Sequence, residues 1–253
     1  MIIIKNKASI MKMETAGKLV AGLFEEIGSI IKPGVSTFEI DSWIDLELRK
    51  RGLVSKTKGY MGYRHSSCVS VNDEVVHGVP NKHKKLTHKD LVKIDVCASW
   101  NGYCADMARC FFVGIDGSQS RAHKMVEVAN LALFAGVNAA LVGNRLSDIS
   151  YAIQQVVEKE GFGVVRDFAG HGIGKSMHED PEILNYGQPG QGPILRAGMT
   201  FAIEPMITEK HYDVYVEDDG WTVKTVDKGW AAHVEDTILI TDNGPVFLTR
   251  QQN

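Results

Sequence analysis

Two carboxylates in one short stretch, Asp95 and Asp106, are the first residues here whose types and spacing could do chemistry together. They lie on what reads as two arms of a hairpin. Leu91 to Ala98 is rich in Val, Ile and Leu, Trp100-Asn101-Gly102 is a turn signal, and Tyr103 to Val113 reads as the returning strand. With the turn centred between Trp100 and Asn101, Asp95 and Asp106 become a directly opposed cross-strand pair, Cβ atoms roughly 4.5–5.5 Å apart. Like charges held there require a cation between them or a shared proton. The competing reading puts both acids on a solvated edge.

More oxygen and nitrogen donors follow. His171 sits in Phe168-Ala-Gly-His-Gly-Ile-Gly174, where flanking glycines allow a tight turn and leave the imidazole open, although such a histidine can also simply cap a turn. Glu204 follows the apolar run Met199 to Ile203, where a carboxylate is costly unless paired or metal-bound. Glu235 lies in Ala231 to Ile240, read as one strand in which His233, Glu235 and Thr237 share a face. An oxygen-rich set with an imidazole suits a divalent cation. Other catalytic signatures are absent or broken. His178-Glu179 lacks the second histidine of H-E-x-x-H and Pro181 spoils its helix, Gly170 to Gly174 is no dinucleotide fingerprint, and there is no P-loop.

The elements that must position these groups follow from periodicity. Helices are expected over Lys12 to Ile31, Thr37 to Arg51, Ser120 to Leu141 and Leu146 to Glu160, with a strand at Ser67 to Val71. One constant offset aligns Gly34, Ile40, Ile44 and Gly52 with Gly143, Ile149, Ile153 and Gly161, and then Ile94-Asp95 with Ile203-Glu204. Two helices then strands, twice over, imply an α+β domain with pseudo-two-fold halves, each packing a helix pair on antiparallel strands. Asp95 and Glu204 would then reach one axis, where a cation draws ligands from both halves.

Bulk properties bound the alternatives. The chain has 253 residues, 44% hydrophobic and 23% charged, which suits a soluble globular protein with a sizeable core. A net charge of −3 gives no case for nucleic acid. The longest uncharged stretch, Val128 to Asn144, is interrupted by asparagines and glycines and falls short of a membrane span. Cys68, Cys97, Cys104 and Cys110 show no C-x-x-C spacing and read as reduced thiols of a cytoplasmic protein.

Asp95, Asp106, His171, Glu204 and Glu235, in this order and spacing, resemble the five metal ligands of the methionine aminopeptidases. Gly170-His-Gly-Ile-Gly174, His178, Ile183-Leu-Asn-Tyr186, Asn72-Asp-Glu-Val-Val-His77-Gly-Val-Pro80 and Gly220-Trp-Thr-Val223 resemble that family's type I motifs. The resemblance runs from about Ile10 to Thr249 and implies the pita-bread fold, with residues 1–253 as a single catalytic domain. The lack of an amino-terminal extension disfavours the creatinase and aminopeptidase P relatives. The short stretch from His171 to Glu204 leaves no room for a type II insert. A bacterial-style type I enzyme is therefore expected. Met177 stands where the family often has Phe, and Asp236 where it often has His.

The resemblance also implies a mechanism. Two divalent ions (Co, Mn, Fe or Zn) activate a shared water that hydrolyses the bond after an N-terminal methionine, with small second residues preferred. Asp106 and Glu235 bridge the ions, Asp95 chelates one, and His171 with Glu204 completes the other. Glu204 relays the proton, His178 hydrogen-bonds the scissile carbonyl, and His77 contacts the substrate amide. Tyr60, Tyr63, Cys68, Met177, His178 and Trp221 are the candidate pocket for the methionine side chain. The implied partners are nascent chains, and with them the ribosome, and the implied state is a monomer away from membranes. A proline-specific aminopeptidase is the alternative enzyme, and a binding protein that kept the fold is the alternative of another class.

Overall fold

The computed structural model describes residues 1–114 and 120–251. Asn6 opens the first helix, α1 (Lys7–Ile27), by accepting the Ser9 N–H at 2.9 Å. This cap, rather than the first apolar residue, sets the start, so the helix begins before the expected Lys12 and ends before the expected Ile31. α2 (Thr37–Lys50) opens on a capping box in which Ser36 and Glu39 satisfy each other's backbone N–H. β1 (Val54–Ser55), β2 (Cys68–Val71), β3 (Leu91–Trp100) and β4 (Tyr103–Phe112) follow. Next come α3 (Arg121–Ala139), capped by Ser120, and α4 (Leu146–Lys159). The second half is cut into shorter strands. They are β5 (Gly163–Val164), β6 (Gly170–Gly172), β7 (Glu179–Ile183), β8 (Thr200–Ile203), β9 (Met206–Thr208), β10 (Val214–Val216), β11 (Val223–Thr225), β12 (Ala231–His233), β13 (Glu235–Thr241) and β14 (Gly244–Phe247).

The main sheet has nine antiparallel strands in the order β1-β3-β4-β13-β8-β6-β7, with β2 also on β3 and β14 also on β13. Its centre is symmetric: β4 and β13 lie side by side, flanked by β3 and β8. Glu204 follows Asp95 at the same offset that relates the helices, but the step from Asp106 to Glu235 is longer. The difference is the excursion through β9 to β12, which the first half lacks.

Strand parity sorts the two faces. Val92, Ile94 and Val96 of β3 bury against Val20, Leu23, Ile40 and Ile44 of α1 and α2. Phe201, Ile203, Ile238 and Ile240 bury against Val128, Leu133, Ile149 and Ile153 of α3 and α4. Asp95, Asp106 and Glu235 have the opposite parity, and so face away from both helix pairs. A curled antiparallel sheet backed by two helix pairs is the pita-bread fold. Among the described residues no helix is long and apolar enough to cross a membrane.

Two strand expectations need correction. Asn101 (φ +46°) and Gly102 (φ +78°) form the two-residue turn, so Trp100 pairs with Tyr103. Positive φ at both central positions suits the right-handed strand twist, and Asn-Gly meets that demand better than Trp-Asn. Asp95 therefore lies opposite Ala108, and Asp106 opposite Cys97. The shift is by two residues, so both acids keep the same face as diagonal neighbours rather than a directly opposed pair. Nor is Ala231 to Ile240 one strand. β12 pairs with β9 in a separate three-stranded sheet, while β13 runs between β4 and β8. Pro205 has no N–H to donate, so the ladder breaks there, and Val234 is the matching break on the other strand.

Candidate metal centre

Five strands deliver the candidate ligands to one face of the sheet. Asp95 comes from β3, Asp106 from β4, His171 from β6 and Glu235 from β13, while Glu204 directly follows β8. Asp106, His171 and Glu235 each offer a donor atom within 4.8 Å of the others. His171 Nε2 lies 3.9 Å from Asp106 Oδ2 and 3.5 Å from Glu204 Oε1. Asp95 stands outside that group but close enough to Asp106 for the two charges to oppose each other.

The glycines around His171 have a reason other than turning. Neither Gly170 nor Gly172 has positive φ. A Cβ on Gly170 would stand 2.4 Å from the Ala202 carbonyl oxygen, and one on Gly172 2.0 Å from that of Asp180. They let the β8 and β7 backbones close on β6 from both sides, which fixes the imidazole between them. His171 Nδ1 lies 3.0 Å from the Gly172 carbonyl oxygen, which can only accept. Nδ1 therefore carries the proton and Nε2 presents a lone pair to the acids.

Burial dominates the electrostatics. It raises the Glu204 carboxyl well above its usual value, and that of Asp95 too, helped by Asp106. Glu235 is raised by burial and by Asp106, Glu204 and Asp95. Asp106 is pushed up to about 7 by burial and Glu204. The imidazoles move the other way: burial lowers His171 to about 3 and His233 to about 4. Four acids that resist ionising together beside neutral imidazoles are the donor set a divalent cation needs. Glu235 Oε1 is buried with no hydrogen-bond partner among the described residues, so one of its acceptor positions is left for something else.

His233 joins this cluster without having been singled out as a ligand from the sequence. Glu204, His233 and Glu235 form a second group of donors within 4.8 Å, sharing Glu235 with the first. The alternation that puts His233 on the face of Glu235 was the available signal, and the pairing of His233 with Met206 and of Asp236 with Ile203 brings both alongside Glu204.

The remaining candidates fall into two places. His178 Nδ1 lies 2.9 Å from the Tyr60 hydroxyl, and its ring meets that of His171 edge-on at 4.3 Å. Tyr60, Met177 and His178 line a cleft of about 540 Å³ together with Lys56, Lys58 and Lys175. Tyr63 is buried, with its hydroxyl donating toward the Ser67 and Gly78 carbonyls at 3.1 and 3.3 Å, and its ring meets Trp221 at 4.9 Å. Cys68 pairs in register with Asp95. His77, at φ +58°, sets its ring edge-on to Phe168 at 5.5 Å, and burial lowers it to about 4. Asp236 points away from this face. It is fully buried between Arg109 (2.7 Å) and Arg250 (2.6 Å), so its charge is matched behind the sheet.

Fold and site together define a metallopeptidase. Residues 11–242 match metallopeptidase family M24, and the chain belongs to that family. It is 47% identical over 249 residues to the methionine aminopeptidase of Clostridium acetobutylicum, covering 98% of this chain and 99% of that one. The methionine aminopeptidase structure from Thermotoga maritima matches with TM-score 0.96 at 44% identity, covering 99% of this chain and 100% of that one. The prolidase of Pyrococcus furiosus is more distant: TM-score 0.79, 25% identity, with 99% of this chain against 66% of that one.

Proposed function

We propose that this chain, as one catalytic domain, hydrolyses the peptide bond after an N-terminal methionine, using two divalent ions held by Asp95, Asp106, His171, Glu204 and Glu235. The observation that carries the reading is the buried cluster itself. Four carboxyls are held near two neutral imidazoles, with a Glu235 oxygen and a His233 nitrogen that are unpaired among the described residues. Near full-length likeness to methionine aminopeptidases supports the substrate. When bound, the ions supply the charge that ionises a water near neutral pH.

The chain's own groups complete the reaction. Glu204 takes the proton of the attacking water at a carboxylate oxygen and passes it to the leaving amine. His178 donates from Nε2 to the scissile carbonyl oxygen and steadies the charge developing there, the role in which its Nδ1, 2.9 Å from the Tyr60 hydroxyl, accepts from that hydroxyl. His77 holds the amide nitrogen side of the same bond. Tyr63, Cys68 and Trp221, with Tyr60, Met177 and His178 at the mouth, take the thioether side chain, which packs well against ring edges. The enzyme acts as a monomer on nascent chains in the cytoplasm, next to the ribosome, and prefers small second residues.

The test is hydrolysis of a Met-Ala-Ser peptide after chelation and reconstitution with Mn, Fe, Co or Zn, beside an Xaa-Pro peptide. Activity that is lost on chelation and restored by metal, on Met-Ala-Ser only, is expected. Turnover indifferent to chelation, or faster cleavage of Xaa-Pro, overturns the reading.

A further inference from the structure

His233 closes β12, one residue before the break that leads into Glu235. Its backbone is held on both sides: it pairs with Met206 of β9, and its carbonyl accepts from Cys110 Sγ at 3.3 Å. This pairing sets the residue beside Glu204-Pro205, where β8 gives way to β9. It is 1% exposed, and Nε2 has no hydrogen-bond partner among the described residues. A buried ring nitrogen without a partner is costly, and such groups call for a specific explanation.

The nitrogen is aimed at the acids. Nε2 lies 3.4 Å from Glu204 Oε2 and 3.9 Å from Glu235 Oε2. The other oxygen of Glu204, Oε1, faces His171 Nε2 at 3.5 Å. One carboxylate is thus divided between two imidazoles, each beyond ordinary hydrogen-bond length. Two ligand atoms each about 2.0–2.2 Å from a shared ion, at angles of 90–110°, lie roughly 3.0–3.5 Å apart. The 3.4 Å separation has that size.

We propose that His233 is a metal ligand of this enzyme, giving its Nε2 to the ion that Glu204 and Glu235 hold. The inference rests on the dinuclear reading above and adds a second imidazole to it. His233 then stands with His171 at the ion that Glu204 completes, so the two ions carry two imidazoles between them. A second imidazole moves the centre toward ions that favour nitrogen, Fe, Co and Zn, and away from Mn, which is content with carboxylates.

X-ray absorption on the zinc-loaded full chain, with metal content measured in parallel, tests this. The imidazole multiple-scattering signal should correspond to one imidazole per ion in the unaltered chain, and to one for every two ions in His233→Gln. Zn2+ affinity should fall about tenfold or more in that variant, and Mn2+ affinity by much less. His171→Asn is a second variant, and it should also leave one imidazole for two ions. Two ions with an imidazole count that His233→Gln leaves unchanged overturn the proposal and leave the dinuclear reading standing. A single ion carrying two imidazoles keeps His233 as a ligand and sinks the dinuclear reading instead. A single ion with one imidazole sinks both. Should His233→Gln fail to fold, the count in the unaltered chain decides: one imidazole for every two ions overturns the proposal.

Discussion

The Thr237 hydroxyl accepts the Asp106 N–H at 2.8 Å and donates to the Asp106 carbonyl at 2.9 Å, so one side chain satisfies both backbone groups of a candidate ligand. It does so across β4 and β13, the two strands at the centre of the sheet, in a fully buried setting. Thr237→Val keeps the shape and removes both bonds. Each orphaned group costs about 1–3 kcal/mol, and in a chain of this size the melting temperature should drop by about 2–4 °C per kcal/mol. Metal affinity should fall with it, because Asp106 is no longer fixed. Calorimetry on the variant checks this, and an unchanged melting temperature refutes it.

Asp106→Asn bears on the centre directly. Asp106 lies among His171, Glu235, Glu204 and Asp95, so replacing its carboxylate removes a charge shared by the whole cluster. Turnover should fall by several orders of magnitude, and less than two ions per chain should survive dialysis. Full metal content with normal turnover contradicts a dinuclear role for the residue.

Behind the sheet, Arg109 and Arg250 hold the carboxylate of Asp236, which is inaccessible to solvent. Arg109 Nη1 also donates to the Glu235 carbonyl at 2.5 Å, so the pair fixes the strand that presents Glu235. The double variant Arg109→Met with Arg250→Met strands that buried charge and should cost about 3–5 kcal/mol. Adding Asp236→Asn should recover part of the loss. Denaturant unfolding of the double and triple variants measures both, and a triple variant no more stable than the double speaks against the charge argument.

Much of this was legible in the sequence because acids beside buried apolar strands are costly without partners. Glu204 and Glu235 stand out for that reason, Asp95 and Asp106 as two carboxylates on facing arms of one hairpin, and the constant offset between the halves anticipates the two half-cores. What escaped depended on local conformations that hydrophobic pattern does not encode. Asn101 and Gly102 rather than Trp100 and Asn101 take positive φ, which moved the hairpin register by two. The Asn6 cap started α1 early. The pairing of β12 with β9 and of β13 with β8, which brings His233 alongside Glu204, arises between strands distant in sequence. The parity of Asp95 and Asp106 survived the register shift because a slip of two preserves the face, where a slip of one would have reversed it.

The acids and imidazoles make opposite contributions to stability against pH in the ion-free protein. Burial raises Asp106 from 3.8 to about 7, so its folded form holds a proton that the unfolded form has lost. That contribution is complete below the unfolded value and is lost as pH rises through about 7. His171 and His233, lowered from 6.5 to about 3 and 4, contribute fully above 6.5 and lose this as pH falls through those values. A divalent ion replaces the acid protons and removes the loss on the alkaline side. Metal binding should therefore release protons at pH 6, seen as buffer-dependent heats in titration calorimetry. The melting temperature gap between loaded and chelated protein should widen from about pH 5 to 8. Heats independent of the buffer's ionisation enthalpy contradict this account.

The last expectation concerns the residue after methionine. Tyr60, Met177 and His178 line one cleft, and His178 contacts both Tyr60 and His171, so on the proposed reading the scissile carbonyl has to reach His178 and the acid cluster at once. His77 is held at φ +58° with its ring edge-on against Phe168, leaving it little freedom to retreat. A large second side chain pushes the carbonyl out of this bracket. Misplacement by about 1 Å can cost on the order of a hundredfold in rate. Met-Gly-Ser, Met-Ala-Ser and Met-Ser-Ser peptides should be cleaved far faster than those with Lys, Leu or Phe in second position. The difference should lie mainly in kcat, because the proposed methionine pocket would still anchor the peptide. His178→Ala should slow good and poor substrates alike, since it removes a hydrogen bond to the carbonyl rather than a steric wall. Steady-state kinetics on the Met-Xaa-Ser series measures this, and equal rates for Met-Leu-Ser and Met-Ala-Ser defeat the proposed bracket.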